Sequence, residues 1–70
     1  MPYVNVKMYP GRSEAQKRAL TERIVAAMQE TCDVARPESV AIVIEEVPRE
    51  QWQAVAVTEI EAKKGQQYHP

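Results

Sequence analysis

The 70-residue sequence lacks most of the features that stabilise or anchor a small protein. One cysteine leaves no intrachain disulfide, and with a single histidine no Cys/His cluster has metal-ligand spacing. Phenylalanine is absent, and tryptophan occurs once. The longest apolar run, Val40 to Ile44, is too short to span a bilayer, and no secretory signal pattern opens the chain. We therefore expect no metal and no membrane segment, and the cytoplasm is the simplest compartment.

The sequence also has no large excess of positive or negative charge. The 9 basic and 10 acidic side chains leave a net charge of −1, which gives no electrostatic footprint for nucleic acid or an anionic membrane. With 44% apolar and 27% charged residues, the composition is typical of a globular protein, and the length predicts one domain over residues 1–70. A chain this short buries only about 60% of its unfolded surface, so we expect oligomerisation to add to its stability.

The first half of the chain predicts a strand followed by a helix. Residues 3–9 alternate with period two, placing Val4, Val6 and Met8 on one face and the two flanking tyrosines on the other. Pro10-Gly11 breaks the strand. Ser13 and Gln16 have the spacing of a capping box, and an apolar stripe with helical period runs over roughly 14–32.

The second half predicts a loop, a strand and a second helix. Residues 33–39 form the loop, and Val40 to Glu46 is apolar on both sides as far as Glu45, which indicates a central strand covered on both faces. A helical period runs from Arg49 to about Lys64, Gly65 suits its end, and residues 66–70 are predicted to be a flexible tail.

These elements make one βαβ unit with parallel strands and a C-terminal helix, of the α+β (α/β) class. A two-stranded sheet is only marginally stable alone, so a second copy should complete it to four strands with two helices on one face. Two side chains receive structural roles: Cys32 is expected to be a small buried apolar residue, and Glu45 can pair with Lys7 across the strands.

The sharpest chemical feature is Pro2. Aminopeptidase removal of Met1 would expose a secondary amine fixed to the first strand. An α-amine titrates near pH 7.7–8.0, and apolar surroundings or a nearby cation lower the pKa of such a group, so that it can be a general base at neutral pH. The alternative is that Met-Pro is only a common chain start.

Pro2 does not stand alone, because the chain also has these segments: Gly11-Arg12-Ser13, Gln16-Lys17, Ser39-Val40, Ile44-Glu45-Glu46 and Trp52. Together with Pro2 they give residues 2–52 a close resemblance to the 4-oxalocrotonate tautomerase family. It implies small oligomeric βαβ enzymes that interconvert enol and keto forms of 2-hydroxy-2-enoate or dienoate acids without a cofactor.

By this resemblance, Pro2 is the catalytic base and Arg12 binds the carboxylate of a small-molecule enol or 2-oxo acid. A guanidinium offers a bidentate fork to a carboxylate, although an isolated arginine before a helix is more often simply solvated. Trp52 can stack on a flat conjugated substrate and wall the pocket, or it can pack into the core of the last helix.

One departure from the family concerns the substrate. Larger members carry a second arginine on the second strand, at the position of Ala41 here. Arg36 or Arg49 of another subunit can compensate for the missing arginine. A hydrogen bond to a charged group contributes about 1.5–3 kcal/mol. We therefore expect a monocarboxylate or aryl enol, such as phenylenolpyruvate, to be a better substrate than hydroxymuconate.

The other departure concerns assembly. Hexameric members have a glycine-rich hairpin after the aromatic residue, whereas this chain has no glycine between Trp52 and Gly65. The chain thus resembles the longer, helix-ended branch, which implies a homodimer, with a hexamer second. Two functional alternatives stay open: a hydratase or dehalogenase acting on unsaturated acids, and a non-enzymatic small oligomeric module.

Overall fold

The computed structural model describes residues 1–68 and places two parallel strands beside a long helix. Strand β1 is Tyr3–Met8, helix α1 is Glu14–Cys32, strand β2 is Ala41–Glu46, and helix α2 is Thr58–Ala62. The predicted βαβ unit and its class are confirmed, and each strand is shorter by one residue than the alternation suggested.

Parallel pairing aligns the two strands over their whole length, from Tyr3 opposite Ala41 to Met8 opposite Glu46. Backbone hydrogen bonds extend the ladder at both ends: the Ala41 N–H donates to the Pro2 carbonyl at 3.0 Å, and the Val47 N–H donates to the Met8 carbonyl at 2.8 Å. The sheet has no third strand among residues 1–68, so both of its edges are open.

Helix α1 begins where its capping box predicted. The Gln16 N–H donates to the Ser13 hydroxyl at 3.1 Å, and the Ser13 N–H donates to the Gln16 side-chain oxygen at 2.8 Å. These bonds satisfy donors that a helix start leaves unpaired. Asp33, with φ of 55°, ends the helix in the left-handed region.

The C-terminal segment is helical, as predicted, but its hydrogen-bond pattern changes along its length. A 3₁₀ turn at Arg49–Gln51 leads into a π turn at Gln53–Val57, then α2, then a 3₁₀ turn at Lys64–Gln66. Thr58 accounts for the π turn, because its N–H and its hydroxyl both donate to the carbonyl of Gln53, the hydroxyl at 3.1 Å.

Of the five residues predicted as a tail, Gln66 completes the last 3₁₀ turn. Gln67 and Tyr68 follow without regular structure, and His69 and Pro70 lie outside the described residues. None of the helices within residues 1–68 is long and apolar enough to cross a membrane.

The single chain buries little. Among the described residues only Val47 and Ala56 are buried, at 4% and 3% exposure, and no residue of α1 is. Helix α1 lies on the face of the sheet that carries Ile42 and Ile44, with a groove between them. The C-terminal segment reaches the other face through an ion pair of 3.5 Å between Lys7 and Glu59. Val43 on that face stays 41% exposed, so the expected cover on both sides of β2 is incomplete in one protomer.

The two structural roles have different outcomes. Lys7 and Glu45 do pair across the strands, at 3.6 Å, as predicted. The prediction for Cys32 is wrong, since the thiol is exposed at the last residue of α1. The helix ends there in contact with solvent, so no neighbouring element covers it.

Replacing Ser13 by alanine should destabilise the protein, because the helix start loses its side-chain acceptor. An N-cap change of this kind costs about 1 kcal/mol, which lowers the melting temperature of so small a domain by roughly 4–8 °C. Thermal unfolding followed by circular dichroism measures the shift, with Ser13→Asp as the control that keeps an acceptor. Equal melting temperatures for Ser13→Ala and the wild type would contradict the role of the cap.

Candidate active site

Pro2 lies at the start of β1, half-buried, with its carbonyl fixed by the Ala41 N–H. Met1 precedes it and is 98% exposed, so it contributes almost no packing. Removing Met1 would therefore convert the Pro2 amide nitrogen into an amine at the open end of the sheet without uncovering a core.

Arg12 lies at the other end of β1, in the turn that leads into α1. Gly11 before it has a φ of 129°, a conformation that side chains other than glycine rarely adopt. The Arg12 Nη1 donates to the carbonyl of Tyr9 at 3.2 Å, and the guanidinium is otherwise exposed to solvent. The turn thus presents a largely free cationic fork.

Glu46, the last residue of β2, ties this turn to the sheet. Its Oε1 lies 2.7 Å from the Lys17 Nζ, and its Oε2 accepts a long hydrogen bond, 3.4 Å, from the Gly11 N–H. Lys17 also reaches Glu14, at 3.0 Å. The carboxyl ends of parallel strands lie at the same end of the sheet, which is why the end of β2 meets the turn that follows β1.

These contacts shift two pKa values in opposite directions. The Lys17 hydrogen bond, and then the Gly11 N–H, lower the pKa of Glu46 below its ordinary value of 4.5. The hydrogen bonds to Glu46 and then to Glu14 raise the pKa of Lys17 above 10.5. The pair is therefore charged throughout the neutral range.

Tyr9, which follows β1, is in contact with an aromatic and a cationic side chain. Its ring centroid lies 4.7 Å from that of Trp52 at an interplanar angle of 61°, an edge-to-face contact. The guanidinium carbon of Arg49 lies 4.3 Å from the Tyr9 ring centroid. Trp52 is half-buried here, so it packs against Tyr9 rather than standing free in solvent.

The two arginines left open as substitutes for the one missing at Ala41 have different surroundings. Arg36 pairs with Glu38 at 2.9 Å in the loop before β2. Arg49 lies over Tyr9, whose carbonyl accepts from Arg12. Only Arg49 shares a contact residue with Arg12.

A single protomer does not bring Pro2 and Arg12 together. From Pro2 to Met8 the extended chain runs for roughly 20 Å, at about 3.3 Å per residue, and Arg12 lies beyond that end. A groove of about 380 Å³ opens between α1 and β2, but neither of these residues lines it. Within residues 1–68 no group of His, Cys, Asp and Glu side chains could hold a metal ion.

Comparison with known proteins supplies the family. Residues 2–62, beginning at Pro2, match the family described as tautomerase enzyme. The chain belongs to the tautomerase family. Membership makes this tautomerase an isomerase of the keto–enol type and confirms the resemblance seen in the sequence.

Similar proteins carry consistent names. The tautomerase is 46% identical over 52 residues to a probable tautomerase of Bacillus cereus, covering 74% of this chain and 84% of that protein. It is 42% identical over 52 residues to a 2-hydroxymuconate tautomerase of Bacillus subtilis, covering 74% and 82% of the two chains. With a 2-hydroxymuconate tautomerase of Pseudomonas putida the identity is 38% over 58 residues, covering 83% and 90%.

Sequence reasoning singled out Pro2, Arg12 and Trp52 in this tautomerase but missed the contacts of Glu46. The available signal was the parallel topology itself, which places the end of β2 beside the turn after β1, within reach of the first turn of α1.

Stability should fall in acid through Glu46. Because its folded pKa is lowered, its contribution is present above its unfolded pKa of about 4.5 and disappears as pH falls through the folded pKa. Urea midpoints for the wild type should exceed those of Glu46→Gln near neutral pH, and the gap should close in strong acid. Glu22→Gln, at an exposed carboxylate on α1, is the control and should show no such closing gap. A constant gap for Glu46→Gln at every pH would contradict the ion pair.

Proposed function

We propose that this chain, as a single domain, is a cofactor-independent keto–enol tautomerase of the cytoplasm with Pro2 as its base. The substrates are 2-hydroxy-2-enoate or dienoate acids, and aryl or monocarboxylate enols are preferred because Ala41 stands where the family has its second arginine. The observation that carries the proposal is the family match, which begins at Pro2 and includes Arg12 and Trp52.

Pro2 would act as a proton shuttle once Met1 has been removed. Its unprotonated nitrogen takes the proton from the 2-hydroxyl, the O–H electron pair becomes the new C=O bond, and the C=C electron pair moves to carbon. The protonated amine then returns its proton to that carbon and is free again. Nothing is oxidised or reduced overall, so the chemistry needs only a base of suitable pKa.

Arg12 would hold the carboxylate and stabilise the oxygen as negative charge develops on it. Its guanidinium has one hydrogen-bond partner among the described residues, the Tyr9 carbonyl, which leaves donors for a bidentate contact. Trp52 and Tyr9 together offer an apolar wall beside Arg12. Such a wall suits the flat conjugated part of an enol acid and keeps water from the reacting atoms.

The arrangement of the two residues supports a homodimer with shared sites. Pro2 and Arg12 lie at opposite ends of β1, and a two-fold axis makes the edges it joins run antiparallel. If the open edges of two β1 strands pair, Pro2 of one protomer approaches the Arg12 end of its partner. The same pairing completes a four-stranded sheet and gives the sparsely buried α1 new neighbours.

Replacing Pro2 by alanine should reduce kcat for ketonisation of phenylenolpyruvate by at least about 100-fold, because a general base contributes about that much. Arg12→Ala should raise KM and lower kcat/KM by about ten- to a hundredfold, because a charged hydrogen bond is lost. Loss of enol absorbance is measured on protein whose mass shows Met1 removed. Sedimentation must show the same assembly for both variants.

Full activity in Pro2→Ala would overturn the proposal. No activity in the wild type on any enol acid would favour the hydratase-type or non-enzymatic alternatives.

Mixing the two impaired variants tests the shared site, with kcat/KM as the measured activity. After subunit exchange, half of the dimers are mixed, and each has one site with Pro2 from one chain and Arg12 from the other. Activity should therefore recover to about a quarter of the wild-type value. No recovery, with exchange shown by mass spectrometry, would place both residues of each site on one chain. A hexamer in sedimentation would replace the dimer but keep the complementation.

A further inference from the structure

The residues around Arg12 pose an electrostatic problem for the proposed function, on which this inference rests. Glu46 holds the turn through the Gly11 N–H, at 3.4 Å, and Gly11 is the residue next to Arg12. A carboxylate bonded to the residue next to a guanidinium that must receive a substrate carboxylate can compete for that guanidinium and can repel the substrate. The turn is thus fixed by a negative charge, although its proposed function is to bind a negatively charged substrate.

Lys17, in the first turns of α1, neutralises the charge of Glu46. Its Nζ lies 2.7 Å from Glu46 and 3.0 Å from Glu14, and its side chain is 19% exposed. Its stem is therefore packed and its ammonium is held against both carboxylates. The opposite shifts in the pKa of Lys17 and Glu46 show that the contact favours both charged forms.

We propose that Glu46 and Lys17 form a charge-compensated clamp that positions Arg12 for an anionic substrate. Glu46 supplies the acceptor that fixes the Gly11 turn, and Lys17 cancels its charge so that the turn still attracts a carboxylate. Neither residue touches the reacting atoms, so both are positioning residues. Their effect appears in substrate binding and leaves the proton transfer at Pro2 unchanged.

The clamp makes an unusual prediction for a double variant. Lys17→Met leaves Glu46 uncompensated and should raise KM for phenylenolpyruvate about five- to tenfold, with kcat within about twofold of the wild type. Adding Glu46→Gln removes the offending charge but keeps an amide oxygen for the Gly11 N–H. The double variant should therefore return KM to within about twofold of the wild type. Lys17→Arg, which keeps the charge, should behave as the wild type.

Salt gives a second readout on the same proteins. The ratio of KM for Lys17→Met to that of the wild type should fall toward one as sodium chloride is raised to about 0.5 M, because exposed charges are screened. Arg23→Met removes a positive charge from an exposed position on the same helix and is the matched control. It should leave KM unchanged.

Two results, one for the double variant and one for the control, would overturn the clamp. One is a double variant whose KM stays as high as that of Lys17→Met, since a purely structural contact would not be repaired by a second loss. The other is an equal rise in KM for Arg23→Met, which would reduce the effect to net charge. Arg12→Ala in the same assay separates the two proposals. If it changes nothing, the proposed function fails; if it raises KM while Lys17→Met does not, only the clamp fails.

Discussion

Parallel pairing of β1 and β2 is the constraint on which the rest of the structure depends. It requires a long crossover, which α1 supplies, and it sends the carboxyl ends of both strands to the same edge of the sheet. Glu46 meets the Gly11–Arg12 turn for that reason, and Val47 meets Met8 through its backbone. An antiparallel hairpin of the same two strands would have put Glu46 beside Pro2 instead.

The same constraint divides the candidate catalytic residues between the two ends of one strand. Pro2 stands at the amino end, while Arg12, Trp52 and Arg49 gather around Tyr9 near the carboxyl end. A sheet of two strands with open edges and few buried residues is also an incomplete folding unit. In the proposed dimer, one association would meet the need of the fold and the need of the site.

Local signals predicted much of this molecule. Period-two alternation located β1, and the Ser13–Gln16 box fixed the start of α1, because both depend on neighbours within a few residues. The π turn before Thr58 was missed, since it depends on Thr58 donating to the carbonyl of Gln53, five residues earlier. The Lys17–Glu46 contact was missed because it joins residues 29 apart, which only the assembled topology brings together.

Met1 gives the chain an unusual relation between folding and chemistry. Its side chain contacts almost nothing, and the ladder bond at Pro2 uses the carbonyl rather than the nitrogen. A precursor that retains Met1 can therefore be completely folded while its proposed base is still an amide. Translational processing, rather than folding, would then create the reactive group, and any N-terminal fusion that survives purification would yield a well-structured but silent protein.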